Sequence, residues 1–228
     1  MLIHPTIDKL NSMRLTGMAR GFRAQLENPE IHNLPFEDRL ALIVDVEFME
    51  RENRQLATRL KGARLRQNAV IEDLDTRPSR KIDRALFASL ATCAWVKQRH
   101  NLLITGATGV GKTWLSCALS HNACRRGINV IYHRLPTLMQ DLDIARHDGR
   151  YTKIMRGIAK AELLILDDWG IAPMSPEQLR DLLEIIDERY QQGSTLITIQ
   201  LPPANCHEPL NAPTMATATL TGVLTNAQ

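Results

Sequence analysis

The sequence predicts an α/β protein: a parallel sheet with helices on both faces, preceded by a small all-helical domain. Three observations carry this. From residue 100 onward, short apolar runs alternate with helical patterns, which is the signature of a parallel sheet covered by its crossover helices. One such run, residues 101–105, leads straight into Gly106-Ala107-Thr108-Gly109-Val110-Gly111-Lys112-Thr113, and residues 114–119 then open a helix. Residues 1–85, by contrast, carry their apolar positions at helical spacing.

Taken in order, Thr6 is placed to cap a helix carrying Ile7, Leu10, Met13 and Leu15, with Met18, Phe22 and Leu26 extending its apolar face. The stretch from Pro29 to Pro35 is a turn. Phe36 opens a longer helix through Leu40, Ile43, Phe48 and Leu56 to about Leu65. The methionines of this region read as core. Asp75-Thr76-Arg77-Pro78-Ser79 breaks the periodicity and marks a domain boundary. Residues 81–98 read as one helix leading into the sheet domain. After the glycine-rich loop and its helix, Gly127 is a helix stop before a strand at 128–132. Helices follow over about 135–145 and 151–159. The next strand, from residue 162, ends in Asp167 and Asp168. Pro176 starts a helix through Leu179, Leu182, Leu183 and Ile186, and residues 195–200 form a fourth strand. No internal repeat is visible. The expected division is 1–78 helical, 79–201 sheet domain, and 202–228 a tail rich in Pro, Thr, Ala and Asn, a composition that suits weak order.

Composition narrows the class. The chain has 228 residues, 44% hydrophobic and 23% charged, which is ordinary for a soluble globular protein. No apolar run approaches the roughly 20 residues that span a bilayer. No basic stretch followed by an apolar core marks a signal peptide, so a cytoplasmic protein with no membrane association is expected. Cys93, Cys117, Cys124 and Cys206 lack metal-ligand spacing and read as reduced structural thiols. The seven histidines show no such spacing either. The net charge of +3 hides an asymmetry, because no Lys or Arg occurs from Tyr190 to Gln228. The densest basic stretch holds Arg51, Arg54, Arg59, Lys61, Arg64 and Arg66. It is either a surface for DNA phosphates or a solvated helix face.

The chemistry centres on the glycine-rich loop, which fits G-x-x-x-x-G-K-[ST] in the strand–loop–helix context that pattern requires. Its backbone N–H groups form an anion nest, and the following helix N-terminus adds a favourable dipole. All eight residues from Gly106 to Thr113 are therefore candidate nucleotide-phosphate ligands. Lys112 would reach the β- and γ-phosphates, and the Thr113 hydroxyl would ligate Mg²⁺. The second half of the site is Asp167 and Asp168, at the carboxyl edge where open α/β sheets bind ligands. Asp167 would hold Mg²⁺ through water, and Asp168 would orient or deprotonate the attacking water. Lys112 and Asp168 are thus the candidate catalytic pair. Thr198 and Gln200 end the fourth strand and are candidates for contact with the γ-phosphate or the water. Trp114 and Trp169 read as packing residues, with nucleotide or partner contact as the alternative.

The strings Gly106–Thr113, Leu163-Leu-Ile-Leu-Asp-Asp-Trp-Gly170 and Gly193-Ser-Thr-Leu-Ile-Thr198 together resemble the IstB-type helper ATPases of bacterial insertion sequences. Leu15-Thr-Gly-Met18 and Ile71-Glu-Asp-Leu-Asp75 share the resemblance, which extends over residues 1–216. It implies an AAA+ ATPase related to replicative helicase loaders. Such a protein binds ATP and Mg²⁺, binds DNA, assembles into oligomers with ATP, and recruits its cognate transposase. It makes strand four the sensor 1 strand, with Gln200 matching the family and Ile199 standing where Ser is usual. Trp114 stands where His is common. The largest departure is Gly222, at the position of an arginine that in the family would serve a neighbouring subunit as a finger or end the lid. A finger arginine contributes about 10³–10⁵ in turnover, so impaired hydrolysis is expected. The basic strand that would follow is also missing, which would leave the edge of the 101–105 strand unpaired. A helicase loader and an inactive remnant of a mobile element are the competing readings.

Overall fold

The computed structural model describes residues 4–75 and 83–200. The chain forms two compact units, residues 1–58 and 59–228, with the division inside one long helix. The expected boundary near residue 78, the segment 202–228 and Gly222 lie wholly or partly outside the described residues.

The first unit is helical. α1 (Pro5–Ser12) and α2 (Thr16–Glu27) replace the single helix expected there, and a 3₁₀ turn over Pro29–Asn33 leads to α3 (Phe36–Ala63). The break has a local cause. Arg14 takes φ 58°, its N–H donates to Asn11 O, and the Leu15 N–H donates to Leu10 O. These are the paired bonds of a Schellman stop, with arginine in the place usually held by glycine. The Thr6 N–H donates to the His4 ring, so His4 rather than Thr6 is the cap.

The first turn of α2 rests directly on α3. A Cβ at Gly17 would stand 2.6 Å from Glu47 Cα, and one at Gly21 would stand 3.4 Å from Ile43 Cα. Leu15 offers no side-chain cap. Glu47 takes that role across the helix pair, accepting from the Gly17 and Met18 N–H groups at 2.8 and 3.1 Å. Its other oxygen accepts from Arg51 Nε at 2.7 Å. The expected apolar face is only partly buried. Ile7, Ala19 and Ile43 are inside, whereas Met13, Leu26, Phe36, Phe48 and Met49 are exposed. Met13 and Met49 are therefore not the core residues their spacing suggested.

The second unit holds the sheet. The helix expected over 81–98 is two pieces, α4 (Arg84–Ala91) and α5 (Ala94–Lys97), because Cys93 sits at φ 58° and cannot continue the helix. Side chains satisfy the carbonyls freed there: Asn122 Nδ2 donates to Ala91 O at 2.6 Å, and Trp95 Nε1 to Leu90 O at 3.1 Å. Then follow β1 (Leu102–Gly106), α6 (Lys112–Arg125), β2 (Val130–Arg134), α7 (Leu135–Asp148), α8 (Tyr151–Lys160), β3 (Leu163–Trp169), α9 (Pro176–Arg189) and β4 (Ser194–Gln200). All three strand pairs are parallel, in the order β1-β4-β3-β2. β1 is an edge strand among the described residues. Leu163 to Leu166 and Leu196 to Ile197 are fully buried between the helix layers. Leu138, Leu142, Leu182 and Ile185 close one face.

One cation in this unit is wholly internal. Arg189 is buried, and its guanidinium donates to the carbonyls of Ile158, Ala161 and Ser194 at 2.6–2.7 Å. It ties the ends of α8 and α9 to the start of β4. Burial pulls its pKa down to about 10.

Candidate functional site

β1 delivers the chain to the glycine-rich loop at the carboxyl edge of the sheet. Gly109 and Gly111 take φ 81° and 101°, where a Cβ is strained. A Cβ at either would meet nothing within 4 Å. The loop thus requires glycine for its backbone and leaves open space on its surface. Lys112 is buried, and its Nζ donates to Gly106 O and Ala107 O, both at 2.8 Å. Thr108 Oγ1 donates to Gln200 Oε1 at 2.8 Å, which links the loop to the end of β4. Ala107 and Val110 complete the loop.

Asp167 is fully buried and surrounded by hydroxyls. Thr113 Oγ1 lies 3.2 and 2.9 Å from its two oxygens. Tyr132 Oη donates to Oδ2 at 2.6 Å, and Thr198 Oγ1 donates to Oδ1. Burial, and then the hydrogen bond to Asp167, push the Tyr132 phenol far up, so it stays a donor. Asp168 is set differently. The β3–β4 register shifts between Leu166 and Trp169, and Asp168 takes φ 64°. Its N–H leaves the regular ladder and donates to Thr198 Oγ1 at 3.0 Å. The bulge turns the carboxylate toward two arginines: Arg134 Nε at 2.8 Å and Arg66 Nη1 at 3.4 Å. The hydrogen bond to Asp168 is the main cause raising the Arg134 pKa. Both acids lie within β3, with Trp169 buried after them, rather than beyond the strand's end.

Two spaces adjoin this constellation. A cavity of about 440 Å³ is lined by Asp73, Leu74 and Asp75, by Ile104 and Thr105 of β1, and by Trp114 and Leu115 of α6. Its size is that of a small-ligand site. A smaller one, about 100 Å³, lies between Asp168, Leu135, Met139 and Met174. The residues at the first suit a nucleotide: an anion nest with a lysine on one side, and an apolar wall with carboxylates on the other. The oxygen donors Thr113 and Asp167 suit Mg²⁺, which binds through one or two carboxylates together with substrate phosphates. No cluster of three His, Cys, Asp or Glu side chains forms an all-protein metal site among the described residues.

The sequence had not brought Tyr132, Arg134 or the Asp73–Asp75 segment to this place. Only the quoted string 71–75 signalled the last. The six basic residues of 51–66 also separate. Arg51 binds Glu47, and Arg54 binds Glu50 and Thr16 at 3.2 and 3.0 Å, all within the helical unit. Arg59 Nε donates to Cys124 O at 2.9 Å, and Arg66 faces Asp168. Lys61 and Arg64 are exposed.

A 47% identical relative, a putative insertion sequence ATP-binding protein of Sinorhizobium fredii (strain NBRC 101917 / NGR234), aligns over all of this chain and 93% of its own length. The putative ATP-binding protein of insertion sequence IS1162 from Pseudomonas fluorescens is 45% identical over 89% of this chain and 88% of its own. Among solved structures, the DnaC helicase loader matches with a TM-score of 0.56 at 21% identity, over 73% of this chain and 94% of that one. AMPPCP-bound DnaA from Aquifex aeolicus matches with a TM-score of 0.51 at 18% identity, over 59% of this chain and 43% of that one. At those identities the two structures establish the AAA+ fold alone. The profile of the IstB-like ATP binding proteins matches residues 8–228, and the chain belongs to that family.

Proposed function

We propose that this protein is an ATP-binding AAA+ helper of insertion-sequence transposition, and that Mg·ATP controls its assembly on DNA and its recruitment of a transposase. The observation that carries the nucleotide site is the Lys112–Thr113–Asp167 arrangement beside a loop where a Cβ at Gly109 or Gly111 would meet nothing within 4 Å. Lys112 would exchange its two carbonyls for the β- and γ-phosphates. Thr113 and Asp167 would hold Mg²⁺, which when bound neutralises charge on the phosphate oxygens. Tyr132 and Thr198 keep Asp167 oriented for that task. The cavity beside Trp114 and Asp73–Asp75 would take the base and sugar. Asp168 would accept a proton from the attacking water once the arginines release it.

The insertion-sequence reading stands ahead of a helicase loader because relatives of the first kind reach 47% identity, whereas the loader likeness is one of fold. DNA and transposase as partners, ATP-dependent homo-oligomers, and Arg51, Arg54, Arg59, Lys61, Arg64 and Arg66 as DNA-contact candidates follow from the family and the basic stretch. Weak hydrolysis is expected from Gly222, and a DNA-stimulated turnover assay beside a relative that carries the arginine checks it. The direct test of the site is calorimetric titration with Mg·ATP. Lys112→Ala should cost about 100-fold in affinity, the scale of losing a charged hydrogen-bond donor. Unchanged affinity would refute the site.

A further inference from the structure

We propose that Arg66 reads the terminal phosphate of the bound nucleotide and so sets the preference for ATP over ADP. This deepens the ATP-site reading above and rests on it.

The first ground is charge. Two guanidiniums, Arg66 and Arg134, converge on Asp168, while Lys112 is held by the loop carbonyls of Gly106 and Ala107. Asp167 already receives hydroxyl hydrogen bonds from Thr113, Tyr132 and Thr198. Its oxygen lies 3.9 Å from Arg66, beyond a hydrogen bond. That leaves Asp168 Oδ2 to serve two guanidiniums. Arg134 holds the better position at 2.8 Å, and Arg66 the looser one at 3.4 Å. Positive charge is in excess at this edge, and Arg66 is the less firmly held member.

The second ground is placement. Arg66 is one carboxylate away from Thr113, the last residue of the phosphate loop. Its main chain is fixed: the buried Cys117 sulfur of α6 faces the N–H groups of Arg66 and Gln67, and Ala63 and Ala69 on either side are buried. The side chain itself is 44% exposed, so its charge is not needed to fill the core. A divalent cation at Thr113 and Asp167 would repel Arg66 from its present site. A γ-phosphate would offer it oxygens in the fork geometry that guanidinium matches. ADP offers no such group. The residue read from sequence as a DNA contact thus has a nearer anion to bind.

The test is titration of the full-length chain with Mg·ADP and with a non-hydrolysable Mg·ATP analogue. Arg66→Ala should cut the ATP-to-ADP affinity ratio about tenfold while ADP affinity holds, which also shows that the variant is folded. Arg66→Lys, which keeps the charge without the fork, should lose less. An unchanged ratio in Arg66→Ala overturns the proposal, as does an equal loss for both nucleotides. Weakened binding to a DNA duplex without nucleotide, at an unchanged ratio, also overturns it and returns Arg66 to the DNA surface. Lys112→Ala binding both nucleotides normally would overturn the site itself, and this proposal with it.

Discussion

The two compact units bury their chains in opposite ways. In the sheet unit, residues such as Leu138, Leu142, Leu164, Leu182 and Ile197 are completely enclosed. In the helical unit, close contact comes from what is missing, since Gly17 and Gly21 let the α2 and α3 backbones meet. Its large side chains, Phe36, Phe48 and Met49, stay 59–64% exposed. The first design tolerates buried carboxylates such as Asp167, because a dense shell holds four hydroxyl contacts in place around it. The second depends on a few polar ties, above all Glu47. A chemical site needs the former. A surface that meets other macromolecules can be built from the latter.

The comparison can be broken most sharply in the sheet core. Leu182→Ala should cost about 2–5 kcal/mol, read as a lowered midpoint in urea. Loss of less than that would mean the core relaxes around α9. Gly17→Ala comes next, at about 1–3 kcal/mol, because the new methyl would press on Glu47 backbone atoms that cannot step aside. Its effect should be confined to the helical unit, seen as faster amide exchange in α2 and α3 alone. Tyr132→Phe should cost about 1 kcal/mol and weaken the Mg²⁺ dependence of nucleotide binding, since Asp167 then loses one of its orienting donors. Phe48→Ala should fall within about 0.5 kcal/mol. A larger cost would show that this face is covered in solution.

Acid offers a gentler probe of the same contrast. Hydrogen bonding from Arg51, opposed by burial and aided by the Gly17 and Met18 N–H groups, holds the Glu47 carboxyl below its ordinary 4.5. The unfolded chain therefore binds that proton more readily than the folded one. Its contribution is complete above pH 4.5 and is lost as pH falls through the lower folded value. Circular dichroism should show Glu47→Gln less stable than the native chain above pH 4.5, with the gap closing as pH falls below it, because only the native tie titrates.

The sequence made the sheet legible because its signals are local. Four apolar runs, a phosphate loop and Pro176 at the head of a helix each declare themselves within a few residues. The breaks at Arg14 and Cys93 were not legible, because both use left-handed conformations at residues that seldom adopt them. Nor could spacing show that Glu47 caps a helix thirty residues away. In the site, the two acids could be read, but not their difference. A one-residue shift in β3 gives Asp167 to the hydroxyls and Asp168 to the arginines. Spacing did not show that Arg66 reaches Asp168 either, because the two lie 102 positions apart in the chain.

Under the proposed function, the phosphate loop governs assembly on DNA. Sedimentation velocity of the full chain with a DNA duplex tests it most directly, with and without Mg·ATP and beside Lys112→Ala. The expected result is a fast-sedimenting complex that requires both the nucleotide and Lys112. An identical complex without nucleotide, or with the alanine variant, would contradict it.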